Sequence, residues 1–598
     1  MKIIYSFNFV LFLIYGGLSL VCADELLHHR LESEVNTGNC RGISSFCREQ
    51  VRQKLDGKML DNAVIGQVLE DQDFVLIAHV GYYFSLHELQ QRTFCNELKD
   101  KEFTKWLLGN RDIFKELAFA NKAASNTFEV LYAIWKKENK QLDGPILNLA
   151  LGAALNAGEY TLEELLAKFD FYKHSWASGK LFPQFESLRP WEMALVLKTI
   201  NNIGHLDDFE WAQEYLSKRS KITASNIGQA ACGLIPYRMK NKKGVSVHAG
   251  GVFYDNKPIT LKLYTEYGGV CGAVSKGSSG FCRSKGVPSY PIGQPGHCAL
   301  IWKTAKGTWN IGNNVCGGWN WSEGNGGIPW RGPTALIQVL EHFIGLGQES
   351  ESMNGYYCSE FLQQPASKDK LLEYALKKNV KNYPAWQSRL SKLGKRLDDA
   401  ALFKLAAELN AAFGDEPAVL EHLFKQQLIP RGKSLDLVPL AALLLNEQES
   451  ADSQDIYFRN LWPQACKEIH TLQKSGIRYD YKSRGGLLKD WSQYNLENKI
   501  SGKVRKETCA FLEKTIASLK TRKKTHAQVI DLYMTLLAGW KDKALMLQAE
   551  SFVDQSLKNI DHASALRNVL DFGIKIGQEL QDEKILKKYR ERIAKSES

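Results

Sequence analysis

The chain has 598 residues, room for about four domains at roughly 150 residues each, which excludes a single small fold. Hydrophobic residues make up 44% and charged residues 24%, with 47 Gly and 16 Pro, a globular composition that excludes disordered, collagenous and membrane-embedded chains. The net charge of +11, from 77 basic against 66 acidic residues, is too mild over this length to indicate nucleic-acid binding.

Lys2 is followed by an apolar run from Ile3 to Val21, then Cys22-Ala23 and the acidic Asp24-Glu25. A basic start, a hydrophobic stretch and a small residue at Ala23 predict a signal peptide over residues 1–23, cut after Ala23. A retained membrane helix is the alternative. The predicted localisation is secreted or periplasmic, with no membrane contact after the signal is removed. Eleven of the twelve cysteines then remain, an odd number that leaves at least one thiol unpaired within the chain. Disulfides among Cys40, Cys47 and Cys95 suit an oxidising space, without a choice of pairs. No spacing reads as a zinc site, and no metal or other cofactor is expected. His28-His29 reads as a solvated pair.

Residues 24–240 read as a helical region. FKELAFANKAASNTFEVLYAIWKKE (114–138) and ILNLALGAALNAGEYTLEELLAKF (146–169) carry apolar residues at helical spacing, and Thr161-Leu-Glu-Glu164 is a capping box. Residues 241–350 change character. Glycine becomes frequent, VSVHAGGVFY and TLKLYTEY alternate as strands do, and five of the fourteen Trp lie between Trp302 and Trp330. Residues 366–598 return to helix. KLLEYALKKNVKNYPAWQSRLSKLG (370–394) and ALFKLAAELNAAFGDEPAVLEHLFKQQL (401–428) each suggest a helix, a Pro-containing turn and a second helix, and Asn382-Tyr-Pro-Ala-Trp386 resembles a tetratricopeptide-type junction. The region is an irregular helical-repeat segment or a generic bundle, and it is the candidate surface for a protein partner. The basic runs 520–524 and 587–592 read as solvated helix faces.

The chemistry concentrates in the middle. Tyr267-Gly-Gly-Val-Cys-Gly272 is a tight turn followed by a helix that stops at Gly286-Val-Pro288. A cysteine at the first turn of that helix has its thiolate stabilised by unpaired backbone N–H groups and the helix dipole. His297 then opens a strand, which turns at Thr304-Ala-Lys-Gly307 and returns as TWNIGNN. A two-residue loop at Ala305-Lys306 sets His297 opposite Asn314; a three-residue loop centred on Ala305 sets it opposite Asn313. Either puts an amide at the imidazole. Cys271 as nucleophile, His297 as base and an Asn as orienting group form the constellation of a thiol hydrolase. The backbone N–H of Cys271 is a candidate oxyanion donor, and Gln294 reads as a turn residue outside the site.

Tyr267-Gly-Gly-Val-Cys-Gly-Ala-Val-Ser275, Gly286-Val-Pro288, Gly296-His297, Trp309 and Asn313 together resemble the transglutaminase-like superfamily of papain-like cysteine enzymes, over about 75 to 100 residues of the middle region. The resemblance implies Cys271 as nucleophile, His297 as base and Asn313 at the position usually held by Asp, with Asn314 as runner-up. An Asn there orients an imidazole but adds no charge to stabilise an imidazolium. Trp302, Trp319, Trp321 and Trp330 line a cleft or pack the sheet, and Trp319, in a glycine-rich loop, is the candidate substrate-binding residue. Asn320-Trp-Ser322 is a glycosylation sequon.

The expected fold is therefore α+β: a mainly helical protein with a central transglutaminase-like (papain-like) α+β domain and a C-terminal irregular helical, repeat-type region. The expected function is that of an exported cysteine hydrolase or acyltransferase acting on a protein or peptide substrate, a cell-wall peptide among the candidates, with hydrolysis ranked above amine transfer. The alternative is a non-catalytic scaffold that binds through its helical regions.

Overall fold

The computed structural model describes residues 26–90, 93–124, 126–199, 205–294, 297–314, 328–392, 523–558 and 563–597, with isolated residues between 405 and 423 and between 505 and 517. The signal segment 1–23 lies outside the described residues. So do Cys316, Trp319, Asn320, Trp321, Cys466 and most of 401–428 and 520–524. The chain is mainly helical with a small three-stranded antiparallel sheet. It divides into two compact units, one holding the described residues up to Asn314 together with 328–391, the other residues from Lys392 onward. The N-terminal helices and the small sheet therefore share one unit. Among the described residues no helix is long and apolar enough to cross a membrane.

Helix α1 (Cys40–Leu55) buries Ile43, Cys47, Val51 and Leu55 at helical spacing. It packs on α2 (Gln72–Leu89), whose run from Phe74 to Phe84 is buried all round. The first unit is thus built on a central apolar helix capped by the Asp71 carboxylate, which accepts from the N–H groups of Asp73 and Phe74. A short bridge between Asn39 and Phe94, with Cys40 N donating to Thr93 O (3.1 Å) and Cys95 N to Gly38 O (2.7 Å), brings the buried Cys40 and Cys95 side chains into contact. Cys47, two helical turns along α1, is about 10 Å from Cys40 by helical rise and beyond disulfide reach. We expect Cys40 and Cys95 to be joined by exchange with an oxidised thiol–disulfide oxidoreductase. Non-reducing peptide mapping should recover them in one cross-linked peptide, and reduction should cost about 3 kcal/mol of stability. Recovery of both as alkylated thiols from unreduced protein would refute this.

His79 lies at the heart of α2, where its Nε2–H donates to Asn354 Oδ1 (2.8 Å) on α7 (Glu349–Phe361) and its ring meets the Tyr357 ring edge-on. Burial lowers its pKa from 6.5 to about 4, against the opposing pull of the Asn354 hydrogen bond. The unfolded chain therefore takes up the proton first as pH falls, and stability present above 6.5 is lost towards pH 4, by about 3 kcal/mol. Hydrogen exchange of α2 should quicken over that window in the native protein and much less in His79→Gln.

The 114–138 stretch is two helices, Arg111–Ala120 and Thr127–Lys137, because Asn121 adopts the left-handed region (φ 49°) and ends the first. The capping box is present: Glu164 N donates to Thr161 Oγ1 (3.2 Å), and Thr161 N to Glu164 Oε2 (2.8 Å). Helix α3 (Gly144–Ala154) packs on α4 (Pro190–Leu197). VSVHAGGVFY and TLKLYTEY are not strands. Val247–Tyr254 is 3-10 helix, and Leu261–Tyr267 is α-helix, its end capped by Thr260 Oγ1 accepting from Leu263 N (3.0 Å). Short alternating runs do not separate the two periods, and the cap decides.

The sheet is a meander of β1 (Ser289–Gln294), β2 (His297–Lys303) and β3 (Trp309–Gly312). Ser289 pairs with Trp302 and Gln294 with His297; Lys303 pairs with Trp309 and Leu300 with Gly312. The β2–β3 turn holds three residues centred on Lys306, closed by Thr304 N donating to Thr308 O (2.7 Å), with Gly307 at φ 84°. Both expected registers are corrected by this. Neither Asn313 nor Asn314 is the cross-strand partner of His297, because the ladder ends at Gly312. The helix-turn-helix around Asn382 is present, in the first unit: Pro365–Lys378 and Tyr383–Lys392, with Asn382 Oδ1 accepting from Ala385 N (3.0 Å). In the second unit helices Lys543–Leu557 and Glu583–Glu597 are laced by Lys588 to Glu550 (2.6 Å) and Asp554, and by Arg592 to Asp554 (3.1 Å).

Candidate active site

Cys271 is the first residue of α6 (Cys271–Ser284), so its N–H has no partner within the helix. The turn before it needs glycine. Gly268 has φ 74°, and a Cβ there would lie 2.2 Å from Pro236 O. That close approach lets Gly269 N donate to Pro236 O (3.0 Å) and Arg238 N to Gly269 O (2.9 Å), which fixes the chain where the helix begins. Small residues on α6 then allow it to lie against the sheet. Ser275 Oγ donates to Cys298 O (2.8 Å), and Ser279 and Ser289 hydroxyls meet at 3.0 Å. Arg283, fully enclosed, ties the far end by donating to Ser289 O through Nε (3.2 Å) and Nη2 (2.7 Å) and to Lys198 O through Nη1 (2.5 Å). Burial lowers its pKa to about 10, which leaves it cationic at neutral pH. On the strand side, Trp302 lies over α5 (Ile227–Cys232), where a Cβ on Gly228 would stand 2.1 Å from the indole.

His297 reaches Asn313, but not its amide. The imidazole Nε2 lies 2.5 Å from the Asn313 backbone carbonyl. A carbonyl only accepts, so Nε2 carries the proton and Nδ1 is left with the lone pair in the neutral ring. Asn313 sits just past β3 in the left-handed region (φ 49°), a conformation Asn tolerates. This turns its side chain towards α6, where Nδ2 donates to Ser275 Oγ (3.0 Å), Cys298 O (3.0 Å) and Cys271 O (3.3 Å). One residue thus spans from the backbone of Cys271 to the ring of His297. Asn314 makes no hydrogen bond to the imidazole: its Oδ1 accepts from Gln294 Nε2 (2.9 Å). The Cys271 thiol and the His297 ring are not hydrogen-bonded to each other.

Cys271, His297 and Asn313 are therefore brought together, with the orienting contact made by a backbone oxygen and the amide used to hold the helix. Ser275, which ends the motif, and Cys298 complete the scaffold, though neither was a candidate site residue. The signal for Ser275 was its place one helical turn after Cys271. Burial raises the Cys298 thiol, which lies beside Ser275 and within the field of Cys271. Burial likewise raises Cys232, near Ser278 and the Asn313 backbone N–H. Cys282 is buried entirely and is pushed further up. Of the tryptophans, Trp330 packs among Phe119, Phe343 and Tyr383, and Trp309 stacks on Trp191 (5.9 Å, 21°). No family model, curated protein or solved structure matches this chain.

Proposed function

We propose that the protein is an exported thiol hydrolase of transglutaminase-like type that cleaves an amide or peptide bond through a thioester on Cys271. The observation that carries the reading is Asn313, which fixes the backbone of the helix-start cysteine and the tautomer of His297 at once. His297 Nδ1 takes the thiol proton, and the sulfur attacks the carbonyl carbon. The oxyanion that forms is met by the Cys271 N–H, and the protonated ring passes its proton to the departing amine. Water, deprotonated by the same nitrogen, then displaces the thiol and releases the acid. The protein needs no co-reactant beyond water, which places hydrolysis ahead of transfer to an amine.

The unbonded thiol and imidazole favour a second reading, a non-catalytic scaffold. Catalytic hydrogen bonds tighten in the substrate complex, so apo geometry alone does not remove the first. Alkylation separates them. At neutral pH, Cys271 should react with iodoacetamide at least about tenfold faster than free cysteine, followed by mass spectrometry of the α6 peptide. A rate no greater than that of free cysteine sinks the enzyme reading.

A further inference from the structure

A cleft of about 340 Å³ opens on the first unit, and β1 contributes Tyr290 to its wall. Its charge is unbalanced. Lys122 and Lys198 share one carboxylate, Glu159 Oε1, at 2.7 and 3.1 Å. Arg331, exposed at the rim, pairs with no acidic side chain among the described residues. Two residues of the lining each bury a polar atom that has no hydrogen-bond partner among the described residues. Trp191 Nε1–H is a donor on a side chain only 4% exposed, and Asn156 Oδ1 is an acceptor on one wholly enclosed. The orientation of Asn156 is fixed, since its Nδ2 donates to Ala194 O (2.8 Å) and Gly152 O (3.3 Å).

An unpaired buried donor and acceptor cost free energy that a ligand can return. A lone anion answers only the cations. A peptide group answers the other two, its C=O accepting from Trp191 and its N–H donating to Asn156. We propose that this cleft binds an acidic peptide, an amide group at Trp191 and Asn156 with a neighbouring carboxylate held by Lys122, Lys198 and Arg331. The carboxylate comes from a Glu or Asp side chain or from a chain terminus.

Calorimetric titration of the full-length Cys271→Ala protein tests binding apart from catalysis. The probes are an amidated hexapeptide with an internal Glu, its Gln counterpart, and the Gln peptide with a free terminus. Either carboxylate-bearing peptide should bind at least about tenfold more tightly than the amidated Gln peptide, and the pair identifies which source is used. Arg331→Gln, an exposed change, should cut that preference severalfold. Trp191→Phe, which keeps the ring and removes the N–H, should weaken all three peptides. Equal binding of all three, no binding of any, or a preference untouched by Arg331→Gln overturns the proposal. Peptide binding with slow Cys271 alkylation would instead defeat the hydrolase reading and leave the cleft standing.

Discussion

Replacing Cys271 by Ala is expected to lower amide turnover by at least about ten-thousand-fold while leaving the unfolding midpoint unchanged. The side chain is half-buried at the first position of a helix, and no described residue hydrogen-bonds to its sulfur. Ala is the best helix former and fits where Cys does, so nothing structural is lost. On the proposed mechanism, what is lost is the atom that carries the acyl group between the two halves of the reaction. Cys271→Ser should fall almost as far, because a neutral imidazole activates an alcohol much less readily than a thiol. Cys298→Ser is the matching control. Its sulfur is near Cys271 but burial raises its pKa, so it should keep most of the activity. Release of amine from an acidic peptide library, followed by mass, reads all three. Activity that survives in Cys271→Ala and vanishes in Cys298→Ser would move the nucleophile to the strand.

The placement of Cys271 at a helix start and of His297 at a strand start was legible because glycine and helix-start signals are local. Gly268 and Gly269 mark a turn that only small residues make, Cys271 follows at the helix start, and His297 opens a strand whose apolar run from Ala299 to Trp302 is buried on both faces. The contact made by Asn313 was not legible. It depends on register, and the turn at Ala305-Lys306-Gly307 ends one residue further along than either expected loop. That shift ends the ladder early and lets Asn313 enter the left-handed region, so the backbone and not the amide meets the ring. β1 escaped notice because Pro291 sits inside it, on a strand at the sheet edge where a missing N–H is tolerated. The cleft was invisible for a different reason. Its wall comes from residues near 121, 156, 191, 290 and 331, and no local pattern joins segments so far apart.

Asn313→Asp, the residue the family resemblance would favour, is expected to lower activity by at least about a thousandfold at neutral pH and to destabilise the first unit by several kcal/mol. In the family pattern a carboxylate at this place steadies the imidazolium. Here the side chain faces Cys271 O and Cys298 O, two acceptors, together with the Ser275 hydroxyl, which already donates to Cys298 O. An ionised Asp loses every hydrogen bond that Nδ2 now donates and sets a charge against two carbonyl oxygens. Repulsion at that position raises the carboxyl pKa in the folded state above its unfolded value. The unfolded chain then gives up its proton first as pH rises, so the variant is destabilised above the usual carboxylate range and recovers stability as pH falls. A protonated Asp can donate once, to Cys298 O or Cys271 O, which recovers part of the fastening. Asn313→Ala loses the same three bonds without the charge and should sit between Asp and the native protein at neutral pH. Denaturation midpoints of the three proteins from pH 4 to 8, with peptide turnover over the same range, provide the test. An Asp variant as active as the native protein at neutral pH, or more so, would mean that the side chain at 313 orients His297 after all and that the backbone contact is incidental.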